Sequence, residues 1–254
     1  MIATPLPAEP FLVAHRGASH DAPENTLPAF ELAWEQGADA IEGDFHLTSD
    51  GRIVCIHDFD TQRVSGTKRI VKSSTLEELR ALDAGEWFHP KWKGVRIPTF
   101  QEVAATVPAG KNLYIEVKCG PEIVPELLRE IQASGLQDSQ IAMISFNAPV
   151  IREMKEQAPQ FKALWLTSFE KVSPLKPSED EILATLREIK ADGFSSRADA
   201  RLTSEYINTL SDAGFEYHCW TVDAPEIARK FLKLGALSVT TNRPAFLREA
   251  LKRN

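Results

Sequence analysis

Apolar residues in the chain form short runs that are separated by amphipathic stretches. Runs of about four to eight mostly apolar residues have the length of buried strands. The runs that fit are 11–14, 38–45, 52–56, 112–118, 140–145, 162–166, 191–196, 215–222 and 236–240. Helical spacing of apolar residues predicts helices near 26–37, 122–134, 148–157, 179–190, 203–212, 225–234 and 244–252. Strands that alternate with helices are typical of parallel sheets with right-handed crossovers.

The number of strand and helix pairs favours one architecture. About eight such units within 254 residues is the size of a closed (β/α)8 barrel, the TIM barrel. The alternative is an open, doubly wound sheet, but no G-x-G-x-x-G follows the first strand, and that motif is the commonest reason to prefer it. We therefore predict an α/β protein with a (β/α)8 TIM barrel, forming a single domain over residues 1–254.

Residues 59–110 break the alternation of strands and helices. This segment is too long for a loop and contains a polar stretch before a short predicted helix at Thr75–Ala84. Thr75 and Glu78 have the spacing of a capping box, in which each side chain bonds the other residue's backbone N–H. We interpret 59–110 as a small insertion over one barrel face, after the region of the second barrel strand.

The same capping-box spacing marks two later helix starts. Ser178 precedes Glu181 by three residues, and Asp223 precedes Glu226 in the same way. In each pair the first side chain is expected to accept a hydrogen bond from the backbone of the second residue. These spacings support helices that begin near 179 and 225.

The charge balance limits the classes of partner. The chain has 36 acidic against 29 basic residues, a formal net charge of −7. A general nucleic-acid or anionic-membrane binder needs a basic face, so this balance argues against both. No apolar run approaches the roughly 18–20 residues of a membrane span, so no stable membrane anchor is expected.

The N-terminal segment and the cysteines indicate the cellular compartment of the protein. The segment MIATPLPAEP has neither a basic region nor a continuous apolar core, so no signal peptide is expected. The cysteines lie far apart in the sequence, which suits a reduced protein better than a disulfide framework. We predict a cytoplasmic protein that acts on a small molecule, and its oligomeric state is left open.

Polar residues cluster at the carboxyl-terminal ends of the predicted strands. They are His15, Arg16, Glu42, Asp44, His57, Glu116, Lys118 and Trp220. In a (β/α)8 barrel the active site is built at that rim, from strands that are distant in sequence. The arrangement as a whole therefore predicts one active site.

Three of these residues are carboxylates in otherwise apolar strands. Glu42 and Asp44 are two residues apart on one strand and so point to one face, and Glu116 ends another strand. Buried charges are costly unless they are paired or bind a metal. Structural salt bridges are one interpretation. We favour a site for Mg²⁺ or Ca²⁺, because hard divalent cations prefer oxygen ligands.

Two histidines each follow a predicted strand beside these carboxylates. A single histidine there is usually structural, but His15 and His57 together can divide proton transfer between a general base and a general acid. Either could take either role. His46 lies two residues past Asp44 and could share its face, and it is left unassigned.

Two cations and one aromatic residue complete the predicted site. Arg16 and Lys118 could bind the non-bridging oxygens of a phosphate, although Arg16 could also pair with Glu24 or Asp58. Trp220 could provide an apolar wall for a small carbon skeleton, or it could simply pack in the core.

These residues occur within an ordered set of short motifs. The motifs are HRG (15–17), PENT (23–26), E-G-D (42–44), LTSDG (47–51), HD (57–58), LDAG (82–85), E-V-K (116–118), SF (145–146), WTV (220–222) and TNRP (241–244). Over nearly its whole length the chain resembles the glycerophosphodiester phosphodiesterases, and the insertion after HD is also found in that family.

The resemblance implies a TIM barrel that hydrolyses glycerophosphodiesters to an alcohol and sn-glycerol 3-phosphate. It implies a divalent cation, Mg²⁺ or Ca²⁺, on the residues that match the family's ligands. The matching positions are Glu42, Asp44 and Glu116 for the cation, His15 and His57 for acid–base catalysis, Arg16 and Lys118 for phosphate, and Trp220 near the glycerol. The attacking group is either water or the glycerol 2-hydroxyl.

Three alternatives to this function remain open. The same residues could cleave lysophospholipids as a lysophospholipase D, with Trp87, Phe88 and Trp92 of the insertion as an acyl contact. Metal-assisted isomerase or aldolase chemistry gains no support from paired histidines. A non-catalytic phosphodiester binder predicts that a histidine or a carboxylate of the set is replaced, and none is.

Overall fold

The computed structural model describes residues 10–171 and 175–252. Most of the N-terminal segment for which no signal peptide is predicted, residues 1–9, lies outside them. The strands are β1 (Phe11–His15), β2 (Ala40–Leu47), β3 (Ile53–Cys55), β4 (Asn112–Val117), β5 (Ile141–Ser145), β6 (Lys162–Thr167), β7 (Gly193–Arg197), β8 (Glu216–Trp220) and β9 (Ser238–Thr241). The helices are α1 (Leu27–Glu35), α2 (Gln62–Ser65), α3 (Leu76–Arg80), α4 (Phe100–Ala104), α5 (Val124–Ser134), α6 (Ala148–Gln157), α7 (Glu179–Glu188), α8 (Ser204–Asp212), α9 (Pro225–Leu234) and α10 (Pro244–Lys252).

Eight of the strands form a closed parallel barrel. Their order around the barrel is β1, β9, β8, β7, β6, β5, β4 and β2, and β2 pairs again with β1. Every one of these neighbouring pairs is parallel. Closure leaves no free edge, so the predicted (β/α)8 barrel is confirmed and the open sheet is excluded.

The apolar run 52–56 does not contribute a barrel strand. Its central residues form β3, which pairs antiparallel with β2 so that Phe45 faces Cys55 and Leu47 faces Ile53. A short apolar run has the same pattern in a hairpin as in a parallel strand, so its partner and direction come only from tertiary pairing. The expectation of parallel pairing was wrong for this run.

The chain between β3 and β4 carries its own small apolar cluster. The buried members are Val54, Ile56, Val64, Val71, Leu79, Ala84 and Ile97. Helices α2, α3 and α4 lie in this part of the chain. The Thr75–Glu78 capping box is present, and α3 ends at Arg80 rather than at Ala84. The description of 59–110 as an insertion in one domain stays a prediction.

The two later capping predictions have different outcomes. Ser178 accepts a hydrogen bond from the backbone N–H of Glu181, which confirms the first capping box. The second is wrong, because Ala224 is the N-cap of α9 and its side chain makes no cap hydrogen bond. Asp223 instead binds the end of β9, where it accepts a hydrogen bond from the Thr241 hydroxyl at 2.8 Å.

Apolar residues fill both sides of the barrel wall. The interior contains Val13, Ala40, Tyr114, Ala142, Ile144, Leu164 and Leu166. The larger cluster lies between the strands and the surrounding helices and includes Phe30, Phe194 and Phe231, all fully buried. Among the described residues, no helix combines the length and the apolar character needed to cross a bilayer.

Candidate active site

A cavity of about 140 Å³ lies at the carboxyl-terminal end of the barrel. Its lining residues are His15, Arg16, Glu42, His57, Tyr114, Glu116, Lys118, Ile144, Phe146, Leu166, Ser195, His218, Trp220, Ser238 and Thr240. All the site residues predicted from the sequence line this cavity except Asp44. Asp44 lies directly behind it, in the group formed with Glu42 and Glu116.

Strand register explains why the carboxylates meet. Residues two apart on a strand share a face, and parallel neighbours stand side by side. His15 on β1 is the register partner of Glu42 on β2, and Asp44 on β2 is the partner of Glu116 on β4. Adjacent strands therefore carry the histidine and the three carboxylates to one end of the barrel.

The three carboxylates form a compact buried group. One oxygen from each of Glu42, Asp44 and Glu116 lies within 4.8 Å of the other two. Each residue is less than a tenth exposed. Glu42 Oε1 and Asp44 Oδ1 are buried and accept no hydrogen bond from any described residue. A buried carboxylate oxygen without a donor is unfavourable. Asp44 Oδ1 still has the Lys118 ammonium 3.4 Å away, so it is Glu42 Oε1 that points to a missing cationic partner.

Burial and neighbouring charges shift the pKa values of the three carboxyl groups. Burial, with the charges of Asp44 and Glu116, holds the pKa of Glu42 well above its usual range. Burial and the charge of Asp44 raise the pKa of Glu116 to about 7. Burial also acts to raise the pKa of Asp44, but the charges of Lys118 and Arg16 outweigh it and hold that pKa below its usual range.

The donor set fits a hard divalent cation. Carboxylate oxygens are the ligands that Mg²⁺ and Ca²⁺ prefer. Such an ion would supply a partner to Glu42 Oε1 and would offset the burial and the repulsion that raise the pKa of Glu42 and Glu116. The interpretation of these residues as purely structural salt bridges leaves Glu42 Oε1 unexplained.

The two predicted phosphate-binding cations already touch the carboxylates. Arg16 Nε lies 3.2 Å from Asp44 Oδ2, and Arg16 Nη1 lies 3.0 Å from Glu24 Oε1. Lys118 Nζ lies 2.6 Å from Glu116 Oε1 and 3.4 Å from Asp44 Oδ1. The pairing of Arg16 with Glu24 that the sequence suggested is present, and Arg16 also lines the cavity.

An unusual backbone conformation after β1 places Arg16. Arg16 has φ 56°, and Gly17 follows with φ 80°. The Arg16 backbone N–H thereby donates to Glu42 Oε2 at 2.9 Å. A side chain on Gly17 would collide with α1, because its Cβ would lie 2.5 Å from the carbonyl carbon of Ala29. Only glycine fits at position 17, which explains the glycine of the HRG motif.

His15 is held by an amide. Its Nδ1 lies 2.7 Å from Asn242 Oδ1. The Asn242 side-chain NH2 donates to Asp223 Oδ2 at 2.8 Å, and the Asn242 backbone N–H donates to Asp223 Oδ1 at 2.8 Å. Since a carboxylate only accepts, the Asn242 oxygen must face His15, so His15 carries its proton on Nδ1. Burial and the charge of Arg16 lower the pKa of His15 to about 4.

His57 is held by a carboxylate. Its Nδ1 lies 2.8 Å from Asp58 Oδ1, and the second Asp58 oxygen accepts from Arg63 Nε at 2.7 Å. The His57 carbonyl lies 3.2 Å from His46 Nε2. His46 is buried against Phe59 and is not among the cavity residues, so it supports the chain at His57.

The opposite wall of the cavity is apolar. Trp220 meets Phe146 edge to face, with ring centroids 5.5 Å apart, and its Nε1 donates to the Ser195 carbonyl at 3.3 Å. Phe146 is 46% exposed at the cavity rim. The cavity thus has a charged side and an apolar side, which matches a substrate that combines an anion with a carbon skeleton.

Several cavity and supporting residues were not predicted from the sequence. His218 lies two residues before Trp220 on β8 and lines the cavity floor, where Ser238 lies 2.8 Å from its Nδ1. The period of two along the strand could have indicated it. Asn25 and Asn242 lie in the PENT and TNRP motifs, but their contacts with Asp44 and His15 join distant segments and were not predicted. Arg63 lies outside the motifs.

Comparison with known proteins identifies the family of the chain. A family model described as the glycerophosphoryl diester phosphodiesterase family matches residues 15–246. A glycerophosphodiester phosphodiesterase of Caldanaerobacter subterraneus is 33% identical over 242 residues, which cover 93% of this chain and 95% of that protein. One of Bacillus altitudinis is 30% identical over 240 residues, which cover 92% and 94%.

Solved structures share the fold. A phosphodiesterase of Oleispira antarctica, in complex with the product sn-glycerol-3-phosphate, superimposes with a TM-score of 0.86 at 25% identity, covering 96% of this chain and 97% of that one. A glycerophosphodiester phosphodiesterase of Thermotoga maritima has a TM-score of 0.77 at 24% identity, covering 96% and 99%, and shares the fold. The resemblance inferred from the sequence motifs is confirmed, and the chain belongs to the glycerophosphoryl diester phosphodiesterase family.

Proposed function

We propose that the chain hydrolyses glycerophosphodiesters to an alcohol and sn-glycerol 3-phosphate with the help of one divalent cation. The observation that carries the proposal is the shared cavity, which His15 and His57 line together with Glu42 and Glu116, two members of the buried group of three carboxylates. The relatives named as glycerophosphodiester phosphodiesterases, and the neighbour bound to sn-glycerol-3-phosphate, support the same reaction.

Glu42, Asp44 and Glu116 would hold the cation, Mg²⁺ or Ca²⁺. When bound, it supplies positive charge that stabilises the negative charge developing on the phosphate oxygens. With all three carboxylates ionised, as cation binding requires, they and the cations Arg16 and Lys118 carry a net charge of about −1, so a divalent ion makes this cluster attractive to an anion. This charge balance suits a phosphodiester substrate.

Arg16 and Lys118 would bind the non-bridging oxygens of the phosphate. Both line the cavity and both are anchored by carboxylates, so they lose little freedom when substrate binds. Trp220, on the apolar side, would contact the glycerol carbons. The substrate would then lie with its phosphate on the charged side of the cavity and its glycerol against the aromatic side.

The partners of the two histidines suggest different roles. With Nδ1 protonated towards Asn242 and a pKa of about 4, His15 is neutral near pH 7 and has a free lone pair on Nε2. It would take the proton from the attacking hydroxyl, either of water or of the glycerol 2-position. His57 is oriented by the Asp58 carboxylate at its Nδ1, which leaves Nε2 for the substrate, so it would donate a proton to the leaving alcohol.

The proposed reaction is tested by release of sn-glycerol 3-phosphate from glycerophosphocholine in the presence of Mg²⁺ or Ca²⁺. Release is expected from the wild type and is expected to fall at least about 100-fold in His15→Gln and His57→Gln. Near-full activity in either variant would contradict the pair.

A substrate with a p-nitrophenol leaving group separates the two roles. That group leaves without help from an acid, so His57→Gln should lose much less activity on it than on glycerophosphocholine. His15→Gln should lose the same factor on both substrates. The reverse pattern would exchange the roles of the two histidines.

Lysophospholipid hydrolysis is the second candidate. The observation that favours it is the apolar wall of Ile144, Leu166 and Trp220, which continues to the half-exposed ring of Phe146. Release of choline from lysophosphatidylcholine, compared with release from glycerophosphocholine, tests this candidate. A higher kcat/KM on lysophosphatidylcholine would make the lysophospholipid the preferred substrate.

A further inference from the structure

Arg63 connects two carboxylates that belong to different motifs. It lies on α2, and its guanidinium group uses three nitrogens in these contacts. Nε donates to Asp58 Oδ2 at 2.7 Å, Nη1 donates to Glu24 Oε2 at 2.9 Å, and Nη2 donates to Glu24 Oε1 at 2.8 Å. The contact with Glu24 is the bidentate pairing of a guanidinium with a carboxylate, which fixes orientation as well as distance.

Each of these carboxylates also contacts a residue of the candidate active site. Asp58 Oδ1 lies 2.8 Å from His57 Nδ1, and Glu24 Oε1 also accepts from Arg16 Nη1 at 3.0 Å. Arg63 is therefore the connection between the residue that holds His57 and the residue that holds Arg16. This contact belongs to the segment 59–110, for which the sequence suggested no role in proton transfer.

Asp58 needs such an anchor. Its side chain is 33% exposed, and that of His57 is 31% exposed. A carboxylate with this much access to water can rotate and be hydrated, and its hydrogen bond to His57 would then be made only part of the time. Arg63 binds the second oxygen of Asp58 and so fixes the plane of the carboxylate. Trp87 lies over the Arg63 guanidinium, 5.8 Å from ring centre to Cζ.

We propose that Arg63 is a positioning residue for proton transfer, which holds Asp58 so that His57 keeps one tautomer and one orientation towards the cavity. The inference rests on the proposed function. Arg63 is not among the residues that line the cavity, so we expect no direct contact between Arg63 and the substrate. Its loss should therefore affect the rate of reaction and leave binding of the substrate largely unchanged.

The first test is the kinetics of Arg63→Gln on glycerophosphocholine. We expect kcat to fall by about 10- to 100-fold, the range typical of residues that orient a functional histidine. KM should change by less than about threefold, because no contact with the substrate is lost. Arg63→Lys keeps the charge and can keep one hydrogen bond, so its kcat should lie between those of Arg63→Gln and the wild type.

A double-mutant cycle with Asp58→Asn distinguishes positioning from a general structural effect. If Arg63 acts through Asp58, the double variant should lose no more activity than the more damaged single variant. Arg80→Gln is the matched control, because Arg80 lies on α3, pairs with Glu102 and has a side-chain exposure of 35% against 40% for Arg63. Its kcat should stay within about twofold of wild type, and it should combine with Asp58→Asn multiplicatively.

Three results would overturn the inference while the wild type remains active. They are an unchanged kcat in Arg63→Gln whatever its KM, a KM that rises by as large a factor as kcat falls, and multiplicative effects of Arg63→Gln and Asp58→Asn. If Arg63→Gln fails to fold, Arg63→Lys with Asp58→Asn gives the same cycle. A wild type that releases no sn-glycerol 3-phosphate would overturn the proposed function itself, and the inference with it.

Discussion

The side chain of Asn25 is bonded twice to Asp44. Asn25 Nδ2 donates to Asp44 Oδ2 at 2.7 Å, and Asn25 Oδ1 accepts from the Asp44 backbone N–H at 3.1 Å. Asn25 is buried and has φ 57°, a left-handed conformation that asparagine tolerates better than most residues. The PENT motif thus supplies a residue that fixes one of the carboxylates proposed to hold the cation.

Removal of the Asn25 amide should weaken cation binding. In Asn25→Gly the backbone conformation is retained and both bonds to Asp44 are lost, so affinity for Mg²⁺ or Ca²⁺ should fall about 10- to 100-fold. Asn25→Ala should lose the same affinity, and its free energy of unfolding should be lower by about a further 1 kcal/mol because alanine is strained at positive φ. Calorimetric titration with the cation and urea unfolding measure the two effects. Unchanged affinity in Asn25→Gly would contradict this role.

Gly17 and Gly51 form a matched pair for a test of close packing. Both have positive φ, but a Cβ on Gly17 would lie 2.5 Å from the backbone of Ala29, whereas one on Gly51 would meet nothing within 4 Å. Gly17→Ala should lower the free energy of unfolding by about 3 kcal/mol or more, from strain and a backbone collision. Gly51→Ala should lower the free energy of unfolding by only about 1 kcal/mol. Equal losses in urea unfolding would show that the contact with α1 is unimportant.

The raised pKa of Glu116 gives a pH dependence with a definite sign. The pKa of about 7 in the folded protein lies above the usual value of 4.5, so the stability that this group contributes is present below pH 4.5 and is lost as pH rises through 7. Without a cation, the free energy of unfolding should fall by on the order of 2 kcal/mol from this group between pH 5 and pH 7.5. In Glu116→Gln this part of the fall in the free energy of unfolding should be absent.

The cation should have the opposite pH dependence. A carboxylate must lose its proton to bind the ion, so Mg²⁺ or Ca²⁺ should raise the melting temperature more at pH 8 than at pH 5.5. Glu116→Gln should lose this cation-dependent rise in the melting temperature. The control is Glu130→Gln, which alters a buried glutamate whose pKa is also raised by burial but which lies outside the cavity. A cation effect that is equal at both pH values would contradict binding by Glu116.

Glu216 should contribute to stability with the opposite sign. Its hydrogen bond to His218 and its pairing with Lys162 outweigh burial and lower its pKa to about 2. Stability from this group is present above pH 4.5 and is lost as pH falls from 4.5 towards 2. With allowance for the partial exposure of Glu216, the free energy of unfolding should fall by about 1 kcal/mol more in the wild type than in Glu216→Gln between pH 5 and pH 3. Glu35→Gln, at an exposed position, should follow wild type in the same urea titration.

The barrel could be predicted because its information is local. Apolar runs, helical spacing and chain length together favour one closed architecture. Because side chains alternate between the two faces of a strand, Glu42 and Asp44 point to the same face. The meeting of Asp44 with Glu116 follows from parallel register at the end of neighbouring strands. These steps need only the periodicity of strands and the fact that barrel sites form at one rim.

The remaining features depend on contacts that no local pattern encodes. The pairing of Ile53–Cys55 with β2 is antiparallel because the hairpin returns directly, and an apolar run does not show this. Asp223 has the spacing of a cap, yet it binds Asn242, which in turn holds His15. Arg63 lies on a four-residue helix within a polar stretch and contacts both Asp58, which is near it in sequence, and Glu24, which is far from it. Such roles appear only when the distant segments are brought together.

The most direct test of the account is a titration of metal-stripped protein with Mg²⁺ or Ca²⁺, in which bound ion and release of sn-glycerol 3-phosphate from glycerophosphocholine are followed together. Binding of one ion per chain should restore the activity in parallel, and Glu42→Gln should neither bind the ion nor release the product. Full release without any divalent cation, or full release by Glu42→Gln, would contradict a reaction that depends on a cation held by Glu42, Asp44 and Glu116.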